Sequence, residues 1–492
     1  MRAPDFVEIE VARRPGKLIT YDHSALVSAL GGKDPACVAV ETDGMSRALV
    51  TAYRRPPLET LRHARPEDLV MDSEGFITVG RHHDGDPARM RLYEPGSGAQ
   101  RGALFGTTGA GKSRALQLVL AAEKRSRIVT WLSDLKGGQS VPEARGQVDW
   151  RATTEQEAMM QLRAGLCLIM IRTDRYARIG RSYFVVGDPD PLVNIRIDEA
   201  NRLLQEGSPY RDEAAYLIKE IGRLGRSVGV GISIAAQAGH VEELGGSDTL
   251  RGMLKEGDVI LLRWSSTMMA TLVSDGLLPL GTDLVPIPRR SGPPVLRSRF
   301  ERTGPRVPGT STAGQAYLLG SPRPTALMRF FLVGSLVPVP GLDPEIVALY
   351  GPGEPARLEA ASVPHMGGAY AARGGPVTVN GAGADPGSTA APAGPEPGAT
   401  PPAGPTLDPT APGAGLMPPP SKGKGAPSIR SRILDALAEG PLTKHDLQAK
   451  VNADGGRQVR NLAPTLSEMK SHGELEQPQR GLWALPAAAP GD

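Results

Sequence analysis

Apolar and polar positions follow two different periods between residues 76 and 345. Short apolar runs, of the length of buried strands, lie at 103–105, 128–132, 193–197, 228–236 and 259–262. The segments between them repeat apolar residues at helical spacing and lie at 114–125, 154–171 and 212–226. Buried parallel strands are apolar on both faces, and crossover helices join them. The pattern therefore predicts an α/β fold built on a mostly parallel sheet.

The first 75 residues follow a different pattern. Alternating residues at 7–11 and an apolar segment at 48–53 predict strands, and 23–30 predicts a short helix. Residues 1–75 are therefore predicted to form a small α+β region, and we assign no chemistry to it.

Glycine, proline and alanine dominate residues 346–427. Such a segment cannot bury enough apolar surface to offset its ordering entropy, so we expect a disordered linker. Periodic patterns return over residues 428–487, which predict a second folded domain. Its predicted helices lie at 429–437, from 442 onward and at 458–471, and its strands lie at 473–476 and 481–485.

Composition narrows the class of protein without choosing a function. The 492 residues contain 56 Lys and Arg against 53 Asp and Glu, so the net charge of +3 does not by itself indicate a nucleic-acid partner. Cys37 and Cys167 lie far apart and offer neither a disulfide framework nor a metal spacing, which fits a reducing cytoplasm. No signal peptide is recognisable, and the longest apolar stretch, 330–342, is too short to span a membrane. We expect a cytoplasmic protein without a transmembrane segment.

A glycine-rich sequence follows the first buried strand and fits the phosphate-binding pattern G-x-x-x-x-G-K-[ST] at every fixed position. Its residues are Gly106, Thr107, Thr108, Gly109, Ala110, Gly111, Lys112 and Ser113. Between a strand and a helix N-terminus, such a loop directs backbone N–H groups and the positive end of the helix dipole at one phosphate. Lys112 would contact the β- and γ-phosphates of ATP, and the Ser113 hydroxyl would hold Mg²⁺.

The strand at 193–197 ends in two adjacent carboxylates, Asp198 and Glu199. In a phosphate-loop NTPase these residues would hold the Mg²⁺ shell together with Ser113 and polarise the attacking water, respectively. Gln237 ends the strand at 228–236, which we expect beside the phosphate-loop strand. It is either a sensor of the γ-phosphate and the attacking water or a strand-terminal polar residue.

Two further polar turns leave alternatives open. Asp134 and Lys136 follow the strand at 128–132, and the carboxyl ends of parallel strands would place them near the nucleotide. A solvated turn explains these two residues equally well. His82 and His83 are predicted to be solvated loop residues and not metal ligands, because no other ligand lies close in sequence.

Together and in this order, the motifs resemble those of the FtsK/SpoIIIE DNA-translocase ATPases. Besides the phosphate loop they comprise 133–137 (SDLKG), 197–200 (IDEA) and 222–229 (GRLGRSVG), which leads into 235–237 (AAQ), and the resemblance covers about residues 76–335. It implies a RecA-like phosphate-loop motor that uses ATP and Mg²⁺, assembles as a hexameric ring and acts on double-stranded DNA. Among such motors the chain looks most like the actinobacterial conjugation translocases of the TraB type.

The family also implies an arginine from the neighbouring subunit that stabilises the transferred phosphoryl group. Where the family often has an arginine early in the strand after Gln237, this chain has Val259. Arg223, Arg226 and Arg263 are the alternatives, and Arg263 is the nearest arginine to that position.

The predicted helices and strands of residues 428–487 resemble a winged-helix domain, whose third helix enters the DNA major groove. The predicted DNA-binding residues are Arg457, Arg460, Asn461, Thr465, Lys470 and, in the wing, Arg480. A small protein-docking domain is the alternative, because the charge excess is small and Pro464 interrupts the third helix.

These features predict an ATP-driven double-stranded DNA translocase for conjugative transfer of a mobile element, oriented by the winged helix. The alternatives are a chromosome or plasmid partitioning motor, a nucleotide-switched DNA-binding regulator and a protein-export ATPase. Export ATPases usually carry several motor domains in tandem, whereas this sequence has one phosphate loop. The family's usual membrane anchor is not recognised, so we expect any recruitment to the membrane to occur through a separate membrane protein.

Overall fold

The computed structural model divides the chain into two compact units, residues 1–413 and 414–492. The residues that the structure describes are 5–14, 16–32, 34–43, 45–237, 257–263, 284–292, 309–319, 327–337, 339–374, 429–438, 440–453, 462, 466, 469–470, 475–479 and 482–485. Within these residues, no helix combines the length and the apolar character needed to cross a bilayer.

The first unit is built on a ten-stranded sheet, called the motor sheet below, with a separate three-stranded sheet at its N-terminus. In chain order the strands are β1 (Phe6–Ala12), β2 (Val38–Thr42), β3 (Arg47–Tyr53), β4 (Phe76–His82), β5 (Pro87–Arg91), β6 (Tyr93–Glu94), β7 (Gly98–Ala99), β8 (Arg101–Gly106), β9 (Val129–Asp134), β10 (Trp150–Ala152), β11 (Val193–Asp198), β12 (Val230–Ala236), β13 (Asp258–Leu262), β14 (Gln315–Leu319) and β15 (Leu327–Phe330). The helices are α1 (His23–Ala29), α2 (Lys112–Arg125), α3 (Glu155–Arg178), α4 (Asn201–Leu204), α5 (Arg211–Leu224) and two short helices, Pro344–Leu349 and Gly367–Ala371.

The motor sheet has the strand order β10-β9-β11-β12-β8-β13-β14-β15-β4-β5. The first six strands of this order are parallel, and the last four continue the sheet in antiparallel pairs. The predicted α/β class with a mostly parallel sheet is confirmed, and β12 lies beside the phosphate-loop strand β8 as expected. Every residue of β9, β11 and β13 is buried, as continuous apolar runs require.

Helices cover both faces of the parallel part. Glu123 of α2 accepts hydrogen bonds from the side chains of Asn194 and Arg196 on β11. Ile195 lies between these two residues in sequence and packs close to Gly165 of α3. Alternate residues of a strand point to opposite faces, so α2 and α3 lie on opposite sides of the sheet. A capping box begins α3, with Thr154 as the N-cap and Glu157 as its partner.

The N-terminal region forms the predicted α+β unit, with one strand that the sequence pattern missed. The sheet order is β1-β3-β2, all antiparallel, and α1 contributes Val27 to a small core with Val38 and Val50. The missed strand is β2, which directly follows a 3₁₀ turn at Pro35–Cys37. Its sequence, VAVET, does not alternate clearly between apolar and polar residues.

The first part of the predicted linker is folded, which corrects the boundary placed at residue 346. The chain from 339 to 374 packs on the helices and strands of the motor sheet, and Tyr350 and Tyr370 are each 1% exposed. The Tyr370 ring lies 5.7 Å from the rings of both Trp131 and Trp150, and its hydroxyl donates to Asp149. Two buried tyrosines thus anchor a segment whose Gly and Pro content indicates a linker. The remainder of that prediction, 375–427, lies outside the described residues.

The two adjacent histidines were predicted to be solvated, and this is wrong. His82 is 2% exposed and His83 is 5% exposed. The Tyr53 hydroxyl and His83 Nδ1 are 2.8 Å apart, so the N-terminal sheet covers the β4–β5 turn. Sequence alone did not show that β3 would pack there.

The second unit has its own apolar core. Its described elements are the helices Ile429–Leu437 and Lys444–Ala453 and the strands β16 (Leu442–Thr443), β17 (Glu476–Gln479) and β18 (Leu482–Ala484). The strands form one antiparallel sheet of order β16-β18-β17. The core consists of Ile433, Ala436, Leu437, Leu447, Val451, Leu462, Leu466, Met469 and Leu475. The predicted first two helices and the strand predicted at 481–485 are therefore present. The observed β17 begins at Glu476, where the strand predicted at 473–476 ends, and most of the predicted third helix lies outside the described residues.

Candidate functional site

The phosphate loop connects the end of β8 to the N-terminus of α2. Gly109 and Gly111 adopt φ of 73° and 106°, in the left-handed region that favours glycine. A Cβ at position 111 would lie 3.1 Å from the Gly314 backbone nitrogen, so this glycine also permits a close chain approach. Gly111 is the N-cap of α2, and Lys112 is its first residue. The loop therefore has the backbone and the helix dipole that an anion site needs.

The strand register brings the polar residues at the strand ends to one edge of the motor sheet. Asp198 is paired with Asp134 of β9 on one side and with Ala235 of β12 on the other. Ala235 in turn pairs with Leu104, two residues before Gly106. Ligands of open α/β sheets bind at the carboxyl ends of the strands, which is where these residues lie.

Lys112 occupies the centre of a network of charged side chains. Its Nζ is 3.1 Å from Asp198 Oδ1 and 2.9 Å from Glu199 Oε1. Glu199 Oε1 also lies 2.7 Å from Lys136 Nζ, and Gln237 Nε2 donates to it across 3.2 Å. Asp198 and Glu199 thus contact the phosphate-loop lysine directly, and Lys136 and Gln237 join the network through Glu199.

Glu199 is held in an uncommon conformation by this network. Its φ of 56° is left-handed, a conformation that costs a residue other than glycine on the order of 1 kcal/mol. Burial alone would raise the pKa of its carboxyl, but hydrogen bonds from Lys136 and Lys112 outweigh burial and lower the pKa to about 2. The carboxylate is therefore fully ionised and neutralised by two ammonium groups.

Asp198 fits the role of a cation ligand. Its side chain is 0% exposed, and neither carboxylate oxygen has a hydrogen-bond partner in the described part of the chain. Lys112 Nζ is within ion-pair distance of Oδ1, but its geometry is not that of a hydrogen bond. A buried carboxylate costs free energy unless it is paired or coordinates a metal, so Asp198 and the Ser113 hydroxyl are suited to hold Mg²⁺.

Asp134 and Lys136, which the sequence left undecided, have different roles. Asp134 is buried and accepts hydrogen bonds from the backbone N–H groups of Lys136 and Val141, so it shapes the turn. Lys136 contacts Glu199 and belongs to the site. The SDLKG motif was the available signal, but the contact depends on a long side chain that spans two strand ends.

Arg263 lies beside the phosphate loop of its own chain. It follows β13, is 7% exposed, and its Nη1 is 3.7 Å from the position that a Cβ of residue 109 would occupy. Its Nε has no partner among the described residues, and burial followed by the nearby Arg289 lowers the pKa of the guanidinium. A buried cation next to the loop suits a phosphate of the nucleotide bound there, whereas an arginine acting on a neighbouring subunit must be exposed.

The other two arginine candidates are engaged elsewhere. Arg223 pairs with Glu220 within α5, and Arg226 pairs with Glu94, both on exposed surface. A role for Arg223 or Arg226 at the nucleotide site of a neighbouring subunit therefore remains a prediction.

A cavity of about 210 Å³ opens beside Ser113. Its lining includes Arg114, Gln117 and Glu143, and the opposite wall comes from the segment around Asp343. The Asp343 N–H donates to Glu143, and Gln117 donates to the same carboxylate. The folded segment after residue 339 thus contributes to the surroundings of the loop.

One of the six predicted DNA-binding residues lies in the described part of the chain. The other five lie outside it and are Arg457, Arg460, Asn461, Thr465 and Arg480. Lys470 is described, is exposed, and its Nζ donates to Gln477 of β17. The interpretation of this unit as a DNA-binding domain stays a prediction.

Comparison with known proteins finds similarity to secretion and conjugation proteins. No protein-family model matches the chain. It is 29% identical over 196 residues to the ESX secretion system protein EccC of Thermomonospora curvata, a match that covers 35% of this chain and 15% of that relative. The cytoplasmic domain of that Type VII secretion ATPase aligns in structure with a TM-score of 0.42 and 21% identity, over 70% of this chain and 35% of that chain. The pCW3 conjugation coupling protein TcpA, in its monomer form with ATPγS, aligns with a TM-score of 0.42 and 15% identity, over 67% of this chain and 86% of that chain.

Proposed function

We propose that this chain hydrolyses ATP and uses the energy to translocate double-stranded DNA, as in conjugative transfer of a mobile element. The observation that carries the ATPase part is the convergence of Lys112, Asp198, Glu199 and Gln237 at the phosphate loop. The DNA part is supported by the resemblance to FtsK/SpoIIIE motors and by the separate folded unit at the C-terminus. The same resemblance supports assembly as a hexameric ring.

Nucleotide binding must exchange the partners of Lys112. Without phosphates, its ammonium neutralises Asp198 and Glu199. A triphosphate in the loop offers more negative charge to the same group, so Lys112 would turn toward the phosphates and release both carboxylates. Mg²⁺, held by Asp198 and Ser113, would neutralise phosphate charge. Glu199 would then be free to accept a proton from the attacking water, subject to its remaining contact with Lys136.

Arg263 and Gln237 complete the residues that face the loop. Arg263 supplies a positive charge in a buried position, where it acts more strongly than in water. Gln237 contacts the Glu199 carboxylate, so its amide is within reach of the water that this carboxylate would orient. These two residues therefore serve transition-state stabilisation and water positioning in our proposal.

The substitution Lys112→Ala tests the assignment. We expect it to lower ATP turnover by at least about 100-fold, because the loop loses its phosphate-binding cation. Binding of labelled duplex DNA should remain, because the proposed DNA-reading unit has a separate core. Phosphate release and fluorescence anisotropy measure the two effects, and Lys219→Ala on the surface of α5 is the matched control. Turnover like that of the wild type would refute the site.

Protein export is the second candidate function, favoured by the similarity to EccC. A motor for polypeptides would use the same loop and carboxylates. It is distinguished by the activator: we expect duplex DNA to stimulate ATP turnover, and an export motor would instead respond to its polypeptide cargo.

A further inference from the structure

A second cavity lies at the antiparallel edge of the motor sheet. It has a volume of about 200 Å³ and is lined by segment 57–62, the β4–β5 turn and β15. Its lining includes Arg62, Arg81 and Arg329, and it shares no residue with the phosphate loop. A single buried water needs only about 10–15 Å³, so the cavity has room for a polyatomic ion with its water.

The sheet register places two of these arginines opposite each other. Arg81 of β4 pairs with Arg329 of the antiparallel strand β15. Like charges directly opposite on neighbouring strands destabilise a sheet. An anion between the two side chains would remove this repulsion.

Arg329 is the buried member of the pair. It is 6% exposed, and its Nη groups donate, within the described residues, to neutral backbone carbonyls alone, those of Leu58, Glu59, Ser311 and Ala313. Its Nε is buried and has no partner among the described residues. The carboxylate of Glu59 acts on this guanidinium only through space, without an ion pair, and burial lowers the pKa of Arg329 in spite of it, so the charge is incompletely compensated, which is costly.

The other two arginines also form no ion pair within the described part of the chain. Arg81 lies over the Phe331 ring, 5.9 Å from its centroid, and Arg62 is exposed at the cavity mouth. The lining carboxylate is Asp84, which accepts a hydrogen bond from the Asp86 N–H. Glu59 lies nearby and accepts from the hydroxyls of Thr310 and Ser291. Three guanidinium groups thus face one lining carboxylate.

We propose that this cavity is a second anion site, which binds a phosphate group through Arg62, Arg81 and Arg329. A phosphate offers several oxygens and more than one charge, so it can accept hydrogen bonds from the Arg62 and Arg81 guanidinium groups and from the Arg329 Nε–H at once, whereas a carboxylate offers one charge and two oxygens. The phosphate belongs either to a small free phosphate compound or to the backbone of duplex DNA. Both sources present the same oxygen atoms to the arginines.

Titration calorimetry of the full chain with pyrophosphate tests the site. We expect the wild type to bind one equivalent at the phosphate loop and one at this cavity. The variant Arg62→Ala/Arg81→Ala should lose the cavity equivalent or weaken it by about tenfold or more, while Lys112→Ala loses the other. Arg65→Ala, an exposed arginine paired with Glu67, should behave as the wild type. Unchanged binding of both equivalents by the double variant would overturn the proposal.

Two further measurements cover folding and the source of the phosphate. Arg62→Lys, at the exposed cavity mouth, keeps the charge but loses the planar guanidinium fork, so we expect weaker cavity binding by about tenfold with an unchanged melting curve. If the double variant also weakens duplex binding, the phosphate is that of DNA, and if duplex binding is unchanged, it is a free phosphate compound. This inference does not depend on the proposed ATPase activity. The ATPase proposal fails if Lys112→Ala still binds two equivalents of pyrophosphate. The cavity proposal fails if Arg62→Ala/Arg81→Ala still binds two equivalents.

Discussion

The contact between Lys136 and Glu199 determines how readily the Glu199 carboxylate can accept a proton. Its Nζ is 2.7 Å from Glu199 Oε1. Nucleotide binding would remove Lys112 from this carboxylate but leaves Lys136 in place. As long as that contact persists, Glu199 is a weak proton acceptor, so Lys136 restrains hydrolysis until the site rearranges.

The variant Lys136→Met should therefore raise ATP turnover in the absence of DNA by roughly tenfold. The gain should vanish in a Glu199→Gln background, because both changes act on one carboxylate, and Lys136→Arg should retain the restraint. Steady-state phosphate release measures all three variants. A fall in turnover in Lys136→Met would show that Lys136 assists the reaction and does not restrain it.

Asp258, at the start of β13, makes stability depend on pH. Burial raises the pKa of its carboxyl from 3.8 to about 7, against the hydrogen bond from the Arg91 N–H and the charges of Arg91 and Arg196. Below about pH 4 the carboxyl is protonated in both the folded and the unfolded chain. As pH rises from there to about 7, only the unfolded chain releases the proton readily, so folding stability falls, by up to about 4 kcal/mol, and then levels off.

Asp258→Asn should remove this loss, since its amide oxygen still accepts from the Arg91 N–H. Urea unfolding at pH 5 and pH 8 would show a larger gain for the variant at pH 8. Equal differences at both pH values would mean that Asp258 is ionised throughout this range in the folded protein.

At the scale of elements, a buried ion pair joins the phosphate-loop helix to the strand that ends in Asp198 and Glu199. Arg196 of β11 donates to Glu123 of α2, which also accepts from Asn194 and Thr130. Glu123 is 0% exposed. Removing one member of such a pair leaves an uncompensated charge, which typically costs 3–5 kcal/mol, whereas replacing both is often neutral.

Arg196→Met should accordingly lower the free energy of unfolding by about 3–5 kcal/mol. Glu123→Gln/Arg196→Met should recover most of that loss, because the glutamine amide oxygen still accepts from Asn194 and its N–H can donate to the Thr130 hydroxyl oxygen. Chemical denaturation of the two variants measures the difference. A double variant as unstable as the single one would indicate that packing, and not charge, accounts for the cost.

The elements also show what sequence reasoning can reach. The phosphate loop and the strand that ends in Asp198 and Glu199 follow from local patterns, because glycine positions and continuous apolar runs dictate backbone conformation. The contact of Lys136 with Glu199 and the pairing of Arg81 with Arg329 depend on which strands become neighbours. Alternation along a single strand carries no information about its partner.

At the scale of the whole molecule, the amino-acid composition after residue 345 led to one wrong domain boundary. Residues rich in Gly and Pro after position 345 predict a linker, yet Tyr350 and Tyr370 bury their rings in the motor. Composition averaged over the segment does not reveal these two tyrosines, because each supplies a large apolar area at a single position. The separate core of residues 414–492 was predictable, because helical and strand periods return there.

We propose that ATP hydrolysis at this site drives movement along duplex DNA. Displacement of a third strand from a triplex at the end of a duplex tests it most directly. We expect the wild type to displace the strand with ATP, and Glu199→Gln to bind ATP and duplex without displacing it. If the wild type displaces no strand and duplex DNA does not change its ATP turnover, the proposal is contradicted.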